Sequence, residues 1–154
     1  MQQTRTATAQ DAALITAHRR AMFAEMGGTE ESVLDQMSRN FEPWVAQRLA
    51  SGQYLGWIIE HDGHPIAGAG MQLVDAPPHP LDPVQDARGH VINVYVDPEH
   101  RRGGLARQLV ELCLNEAVRR GLRVVTLHPS DAGRPLYEAL GFRTTNEMRR
   151  VAES

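Results

Sequence analysis

The stretch HRRGGLA, residues 100–106, combines residue types that suit the binding of a phosphate group. It lies between a strand-like run that ends at Val96 and a long helical pattern. Glycine has no side chain to keep an anion away from the backbone. The first N–H groups of a helix have no partner inside the helix and carry the positive end of its dipole. A diphosphate is a natural ligand for such a turn.

Two common nucleotide-binding motifs do not match this turn. A P-loop needs Lys and then Ser or Thr after its last glycine, whereas Leu105 and Ala106 follow Gly104. The dinucleotide fingerprint needs three spaced glycines, and only the adjacent Gly103 and Gly104 occur here. Taken alone, the turn is therefore also compatible with a plain strand-to-helix connection.

Together with a second motif, the turn resembles the GNAT superfamily of acyl-CoA-dependent N-acetyltransferases. The family signature Q/R-x-x-G-x-G/A corresponds to residues 101–106, with Val96-Asp97-Pro98 before it and Leu109 a turn into the helix. Downstream, LYEALGF (residues 136–142) matches a second family motif. The resemblance implies binding of acetyl-CoA, with main-chain N–H groups contributing more than the arginines. The implied pyrophosphate donors are the backbone N–H groups of Arg102, Gly103, Gly104, Leu105, Ala106 and Arg107, and Arg101 is a further cofactor-binding residue.

The resemblance also implies where the rest of acetyl-CoA binds. The pantetheine arm would lie along the strand edge formed by Val94, Tyr95 and Val96, and an N–H group near Val94 would polarise the thioester carbonyl. Relatives often carry an asparagine that contacts the cofactor seven residues before the motif tyrosine. Ser130 occupies that position here, and it either keeps a cofactor contact or caps the following helix.

Tyr137 matches the family tyrosine that protonates the departing thiolate. A phenol, with a pKa of about 10, stays protonated where a thiol, with a pKa of about 8.5, begins to ionise. The alternative is that Tyr137 is a core aromatic residue on a short amphipathic helix.

The acceptor side is less clearly marked in the sequence. His90 stands where many relatives place a glutamate general base, and an imidazole can accept a proton near neutral pH. It could equally be a solvated residue at the start of a strand. Asn93 could orient the acceptor, Phe23 could line its site, and Glu25 could attract an ammonium group, although a glutamate on a helix is usually solvated.

The order of elements supports the same fold class. Strands are predicted at residues 4–8, in a hairpin at 54–75 with its turn at Asp62-Gly63, and at 90–96, 122–128 and 142–152. Helices are predicted at residues 8–27, 29–52 with a kink or break at Pro43, 104–120 and 133–141. Residues 75–89 form a long proline-rich loop.

These elements indicate a mixed α/β domain spanning residues 1–154. The resemblance implies the GNAT fold, with a twisted, mostly antiparallel sheet of about six or seven strands, splayed between the fourth and fifth strands and flanked by about four helices.

Composition limits the classes of function. The net charge is −3 with no basic block, which argues against a nucleic-acid partner. The single cysteine, Cys113, permits no disulfide within the chain, and no apolar run is long enough to span a membrane, so we expect a cytoplasmic protein. The histidines show no metal-ligand spacing. A homodimer through a sheet edge or the last strand is a further hypothesis.

The sequence therefore predicts an N-acetyltransferase that moves an acetyl group from acetyl-CoA to a primary amine of a small molecule, without a metal. Two alternatives stay open. The acceptor could be an amine of a protein or peptide, or the domain could be a CoA-binding sensor that has lost catalysis. The identity of the acceptor is not encoded in any motif, because substrate-binding loops vary most within a fold.

Overall fold

The structure is a computed structural model that describes residues 1–153. Its strands form one five-stranded sheet in the order β1-β2-β3-β4-β5. All neighbouring strands are antiparallel except β4 and β5, which are parallel. The strands are β1 (Gln2–Thr6), β2 (Tyr54–His61), β3 (His64–Asp75), β4 (Ala87–Val96) and β5 (Val125–Leu127).

Four helices pack on this sheet: α1 (Ala12–Met26), α2 (Glu31–Ser51), α3 (Leu105–Arg119) and α4 (Arg134–Ala139). Pro43 lies inside α2, which continues through it as a single helix, so of the two expected outcomes, a kink or a break, the break is excluded. Short 3-10 helices precede α1 and follow β4. The first of these begins with a capping box between Thr8 and Asp11.

The mixed fold is confirmed, but the expected number of strands is too high. Residues 142–152, predicted as a last strand, form no strand in the structure. A strand needs a neighbour for its backbone N–H and C=O groups, and within residues 1–153 this segment pairs with none. The other strand boundaries differ from prediction by a few residues, with β1 at Gln2–Thr6 and β4 beginning at Ala87.

Apolar side chains bury both faces of the sheet. One core joins the face under α3 to that helix through Met71, Val91, Leu109 and Cys113. The other lies under α1 and α2 and includes Ile15, Phe41, Val45, Tyr54 and Ile58. Because side chains alternate along a strand, the neighbours of Val91 on β4, His90 and Ile92, point to the α1/α2 face.

The sheet opens between β4 and β5, as expected for this fold. The parallel pairing joins only Gly89, His90 and Val91 to Val125, Thr126 and Leu127. Beyond Val91 the edge of β4 that faces β5 has no strand partner within residues 1–153. We call this stretch, residues 92–96, the open edge of β4.

A bulge lies at the start of the open edge. The β3–β4 register shifts between Gly68 and Gly70, and Asn93 adopts a left-handed conformation with φ 59°. Asparagine tolerates this conformation better than most residues. A bulge changes which face the following side chains take. After it, Asn93 and Tyr95 both contact α1, whereas Val94 and Val96 pack against the core under α3.

Candidate active site

The turn before α3 presents a row of free backbone donors. Gln108 N is the first to donate within the helix, to Gly104 O at 3.0 Å. The N–H groups of Arg102 to Arg107 have no hydrogen-bond acceptor within residues 1–153. Gly104 has φ 78°, a conformation that favours glycine, and a Cβ there would meet no atom within 4 Å, so the space in front of these donors is open.

The arginines at the two ends of this turn, Arg101 and Arg107, are engaged elsewhere. The guanidinium of Arg101 donates to both carboxylate oxygens of Glu25, at 2.7 and 2.9 Å, and to Val96 O at 2.9 Å. Arg107 pairs with Glu111 at 2.8 Å along the helix surface. The structure thus brings two sequence-predicted residues, Glu25 and Arg101, into contact with each other. The donors left for an anion are the main-chain N–H groups and the exposed side chain of Arg102, which has no ion pair within residues 1–153.

Tyr137 lies on α4, on the same side of the sheet as α3. It lines an apolar cleft of about 520 Å³ together with β5 and residues 142–145. Its ring packs edge-on against Phe142, with ring centroids 6.0 Å apart. Burial raises the pKa of the Tyr137 phenol, and the hydroxyl has no partner within the described residues. The phenol is therefore a protonated, unengaged donor at neutral pH.

Gly133 and Ser130 support this tyrosine. A Cβ at Gly133 would lie 2.9 Å from Cε2 of the Tyr137 ring, so only glycine allows the ring to take this position. The Ser130 hydroxyl oxygen accepts a hydrogen bond from Gly133 N at 3.1 Å. Ser130 thus stabilises the turn into α4, and its hydroxyl keeps one donor.

His90 lies on the other side of β5, in a cleft of about 1110 Å³. Its Nδ1 is 2.8 Å from Thr126 Oγ1, and its ring centroid is 4.9 Å from that of His128. His128 Nε2 in turn is 3.3 Å from Glu147 Oε2. Burial, His128 and Arg88 lower the pKa of His90, whereas Glu147 opposes them. His90 is therefore neutral near pH 7, in the form that accepts a proton.

The two clefts meet at β5. Thr126 and Leu127 line both of them, with Tyr137 in one and His90 in the other. A group held in the gap between β4 and β5 would thus have a proton donor on one side and a proton acceptor on the other. His128 has no role predicted from the sequence, and its one signal there is its place at the end of the predicted strand 122–128.

Asn93 is the centre of a buried polar cluster that the sequence did not predict. It is 4% exposed, its Oδ1 accepts from Arg19 Nη1 at 2.8 Å, and its Nδ2 donates to Tyr54 Oη at 3.0 Å. Burial raises the pKa of Tyr54. The ring of Phe23, another predicted site residue, lies 5.1 Å from Cζ of Arg19. Asn93 and Phe23 thus come together through Arg19, and we call Arg19, Asn93, Tyr54 and Phe23 the Arg19 cluster.

The structure offers little support for a cysteine nucleophile or a metal site. Cys113 is fully buried, and burial raises the pKa of its thiol to about 12, so it does not act as a nucleophile at neutral pH. Among residues 1–153 no group of three or more His, Cys, Asp or Glu residues is placed to hold a metal ion. No helix in that range has the length and apolar character needed to cross a membrane.

Comparison with known proteins defines the class to which this site belongs. The model of the acetyltransferase (GNAT) family matches residues 15–142. A GCN5-related N-acetyltransferase from Ralstonia eutropha JMP134 is 38% identical, with a TM-score of 0.94 over 99% of both chains. The chain belongs to the GNAT family and is an acyltransferase.

Two further proteins are similar to this chain. The [ribosomal protein bS18]-alanine N-acetyltransferase of Escherichia coli K12 is 32% identical over 122 residues, which cover 75% of this chain and 74% of that protein. A predicted acetyltransferase from Clostridium acetobutylicum, solved with acetyl-CoA, is 26% identical, with a TM-score of 0.89 over 99% of this chain and 96% of that one. Members of the family use acetyl-CoA. The free N–H groups at residues 102–107 and the open edge of β4 have the donors and the space that this cofactor requires.

Proposed function

We propose that this enzyme transfers the acetyl group of acetyl-CoA to a primary amine of a small molecule by direct attack within a ternary complex. The supporting observation is the adjacency of two backbone features, the free N–H groups of residues 102–107 and the open edge of β4, which has no strand partner within residues 1–153. The first suits a pyrophosphate. The second offers Val94, Tyr95 and Val96 to an extended chain with amide groups, as an added strand would be bound. Bound acetyl-CoA supplies an activated acetyl thioester.

Main-chain groups of the open edge polarise the thioester carbonyl in this proposal. A backbone N–H near Val94 is fixed by the sheet, so it stabilises developing negative charge without reorganising. The Tyr137 hydroxyl then donates its proton to the leaving thiolate sulfur. Its raised pKa supports that role, because the phenol stays protonated over the whole neutral range. Ser130 acts through the turn that positions α4, and its remaining hydroxyl donor is available to the cofactor.

The acceptor amine enters from the His90 side. It must lose a proton to attack, and neutral His90 lies in the wider cleft, next to the last β4–β5 pair. Thr126 at 2.8 Å orients the imidazole, and His128 offers a path for the proton toward solvent. Asn93 and Phe23 contribute to the acceptor site as members of the Arg19 cluster, and Glu25 contributes by holding Arg101.

A protein or peptide amine is the second candidate acceptor. It is favoured by the similarity to the Escherichia coli enzyme named for an alanine of a ribosomal protein. The cleft of about 1110 Å³ beside His90 is also large enough for several residues of a peptide. The small amine and the peptide N-terminus present the same reacting group, so they differ only in what surrounds it.

The test is thiol release from acetyl-CoA with a panel of small amines and short peptides, using the wild type and Tyr137→Phe. We expect kcat to fall by about 100-fold or more in the variant, the range for loss of a general acid, with the Kd for acetyl-CoA unchanged. Higher kcat/KM for peptides than for any small amine would select the second acceptor class. Tight acetyl-CoA binding without turnover of any amine would contradict catalysis altogether.

A further inference from the structure

Arg19 is a cation placed in an unusual environment on α1. Its guanidinium carbon lies 5.1 Å from the ring centroid of Phe23 and 4.9 Å from that of Phe41. Its Nη1 donates to Asn93 Oδ1 at 2.8 Å, and its Nε is shielded from solvent without a hydrogen-bond acceptor. The side chain is thus fixed at one end and unsatisfied along one edge.

The charge of Arg19 has no counterion within residues 1–153, where no carboxylate approaches it to 4.0 Å. Its sequence neighbour Arg20 differs, pairing with Asp35 at 2.7 Å and Glu31 at 3.7 Å. Burying a charge without a partner is costly, and contacts with two aromatic faces offset only part of that cost. Burial lowers the pKa of Arg19, but a guanidinium remains charged at neutral pH. The site therefore holds one uncompensated positive charge.

The position of this charge relates it to the transfer reaction. Asn93, which holds Nη1, is the bulge residue at the start of the open edge, next to Val94. The Tyr54 hydroxyl fixes the amide of Asn93 from the other side at 3.0 Å. Tyr54 is 2% exposed, so the Asn93 amide is held by a rigid partner. Arg19 is consequently one side chain away from the place where the acetyl group is expected.

We propose that Arg19 is the receptor for a carboxylate carried by the acceptor, so that the substrates are amines bearing an anionic group a few bonds from the nitrogen, such as free amino acids. This inference rests on the proposed function and names its substrate class. The free donors, Nε and Nη2, lie on the same edge of the guanidinium plane and match the two oxygens of a carboxylate. Because Nε is covered in the structure, binding requires a small movement of a neighbouring side chain.

The experiment compares matched acceptors rather than single compounds. Each free amino acid of a panel is assayed with its carboxamide and its decarboxylated amine, with acetyl-CoA saturating. For the wild type we expect a KM for the carboxylate form at least about tenfold below that of the amide, the value of one charge-assisted pair. In Arg19→Gln the KM for the carboxylate form should rise by about 10- to 100-fold with kcat little changed, while the amide and the plain amine keep their values.

Two further variants separate binding from folding. Arg19→Lys retains the charge but not the paired donors, so it should restore part of the preference for carboxylates. Arg20→Gln changes the neighbouring arginine, whose charge is already paired, and should leave every KM unchanged. The Kd for acetyl-CoA serves as the check that each variant is folded.

The possible failures are distinct. Equal kcat/KM for the carboxylate and amide forms in the wild type would overturn the carboxylate receptor while leaving the transferase intact. The carboxylate receptor would also be overturned if Arg19→Gln lowered kcat/KM equally for the free amino acid, its carboxamide and its decarboxylated amine, since an equal loss indicates a structural role. Absence of turnover with every amine, including those without a carboxylate, would instead count against the proposed function itself.

Discussion

The turn before α3 and the Arg19 cluster both lie beside the open edge of β4, yet they are built from different chemical groups. The turn offers backbone N–H groups of consecutive residues, 102–107, and the arginines at its two ends, Arg101 and Arg107, pair with glutamates. The cluster consists of side chains brought together from α1, β2 and β4. A main-chain site depends on local conformation, whereas a side-chain site depends on tertiary packing. The cofactor side and the acceptor side should therefore respond differently to substitution.

The largest expected effect concerns the main-chain site. Gly104→Val places a branched side chain in front of the free N–H groups at a φ of 78°, and we expect the Kd for acetyl-CoA to rise by about 100-fold or more, as a displaced diphosphate loses several charge-assisted bonds. Isothermal titration with acetyl-CoA measures it.

Gly52→Val is the matched control for this substitution. Gly52 has nearly the same backbone conformation, φ 83° and ψ 7° against 78° and 11°, and at both positions an added Cβ meets nothing within 4 Å. Both variants should lose about 1–3 kcal/mol of stability from backbone strain. Only Gly104→Val should show the rise in the Kd for acetyl-CoA. Equal affinity in the two variants would show that the turn is not the pyrophosphate site.

The same contrast explains what the sequence could predict. The turn is a contiguous string between a strand and a helix, so its conformation and its donors follow from local rules. Asn93 contacts Arg19 across 74 positions and Tyr54 across 39, and no local rule brings these residues together. One signal was present: Ile15, Arg19 and Phe23 recur at intervals of four and share a helix face, which places a charge on the stripe that includes the core residue Ile15.

The predicted last strand failed for a related reason. Residues 142–152 have the composition of a strand, but strand formation also needs an available partner edge, which composition does not reveal. The missed Arg19 cluster and the wrongly predicted last strand therefore have the same cause. Local patterns predict helices, strands and main-chain sites, whereas long-range contacts decide which side chains meet and which strands pair.

An intermediate effect is expected on the acceptor side, at His90. If neutral His90 accepts the proton from the amine, kcat should fall as the pH drops through its pKa, which burial, His128 and Arg88 set below the ordinary value of 6.5. His90→Gln should lower kcat by about 10- to 100-fold, at the lower end of the range for a general base, and should remove this acidic limb from the pH profile.

His128→Gln is the informative control for that profile. Removing this neighbour takes away a cause that lowers the pKa of His90, so the acidic limb should persist but move to higher pH. Glu147→Gln should move it in the opposite direction, because Glu147 raises that pKa. A limb that stays in His90→Gln would assign the base to another group or to water.

The smallest effect is expected at the ion pair between Arg101 and Glu25, where the cofactor side meets the acceptor side. Both side chains are exposed, 42% and 44%, and pairs of this kind contribute about 1 kcal/mol or less. Because the guanidinium is bound to Glu25 and to Val96 O rather than aimed in front of the free N–H groups, Arg101→Ala should weaken acetyl-CoA by no more than about threefold. Glu25→Gln should have an equal effect, and the double variant should match either single one, since each removes the same pair.

A loss of acetyl-CoA affinity above about 30-fold in Arg101→Ala that Glu25→Gln does not share would mean that the guanidinium leaves Glu25 to bind phosphate. The cofactor side would then depend on side-chain charge as the acceptor side does, and the distinction between the two sites would no longer hold.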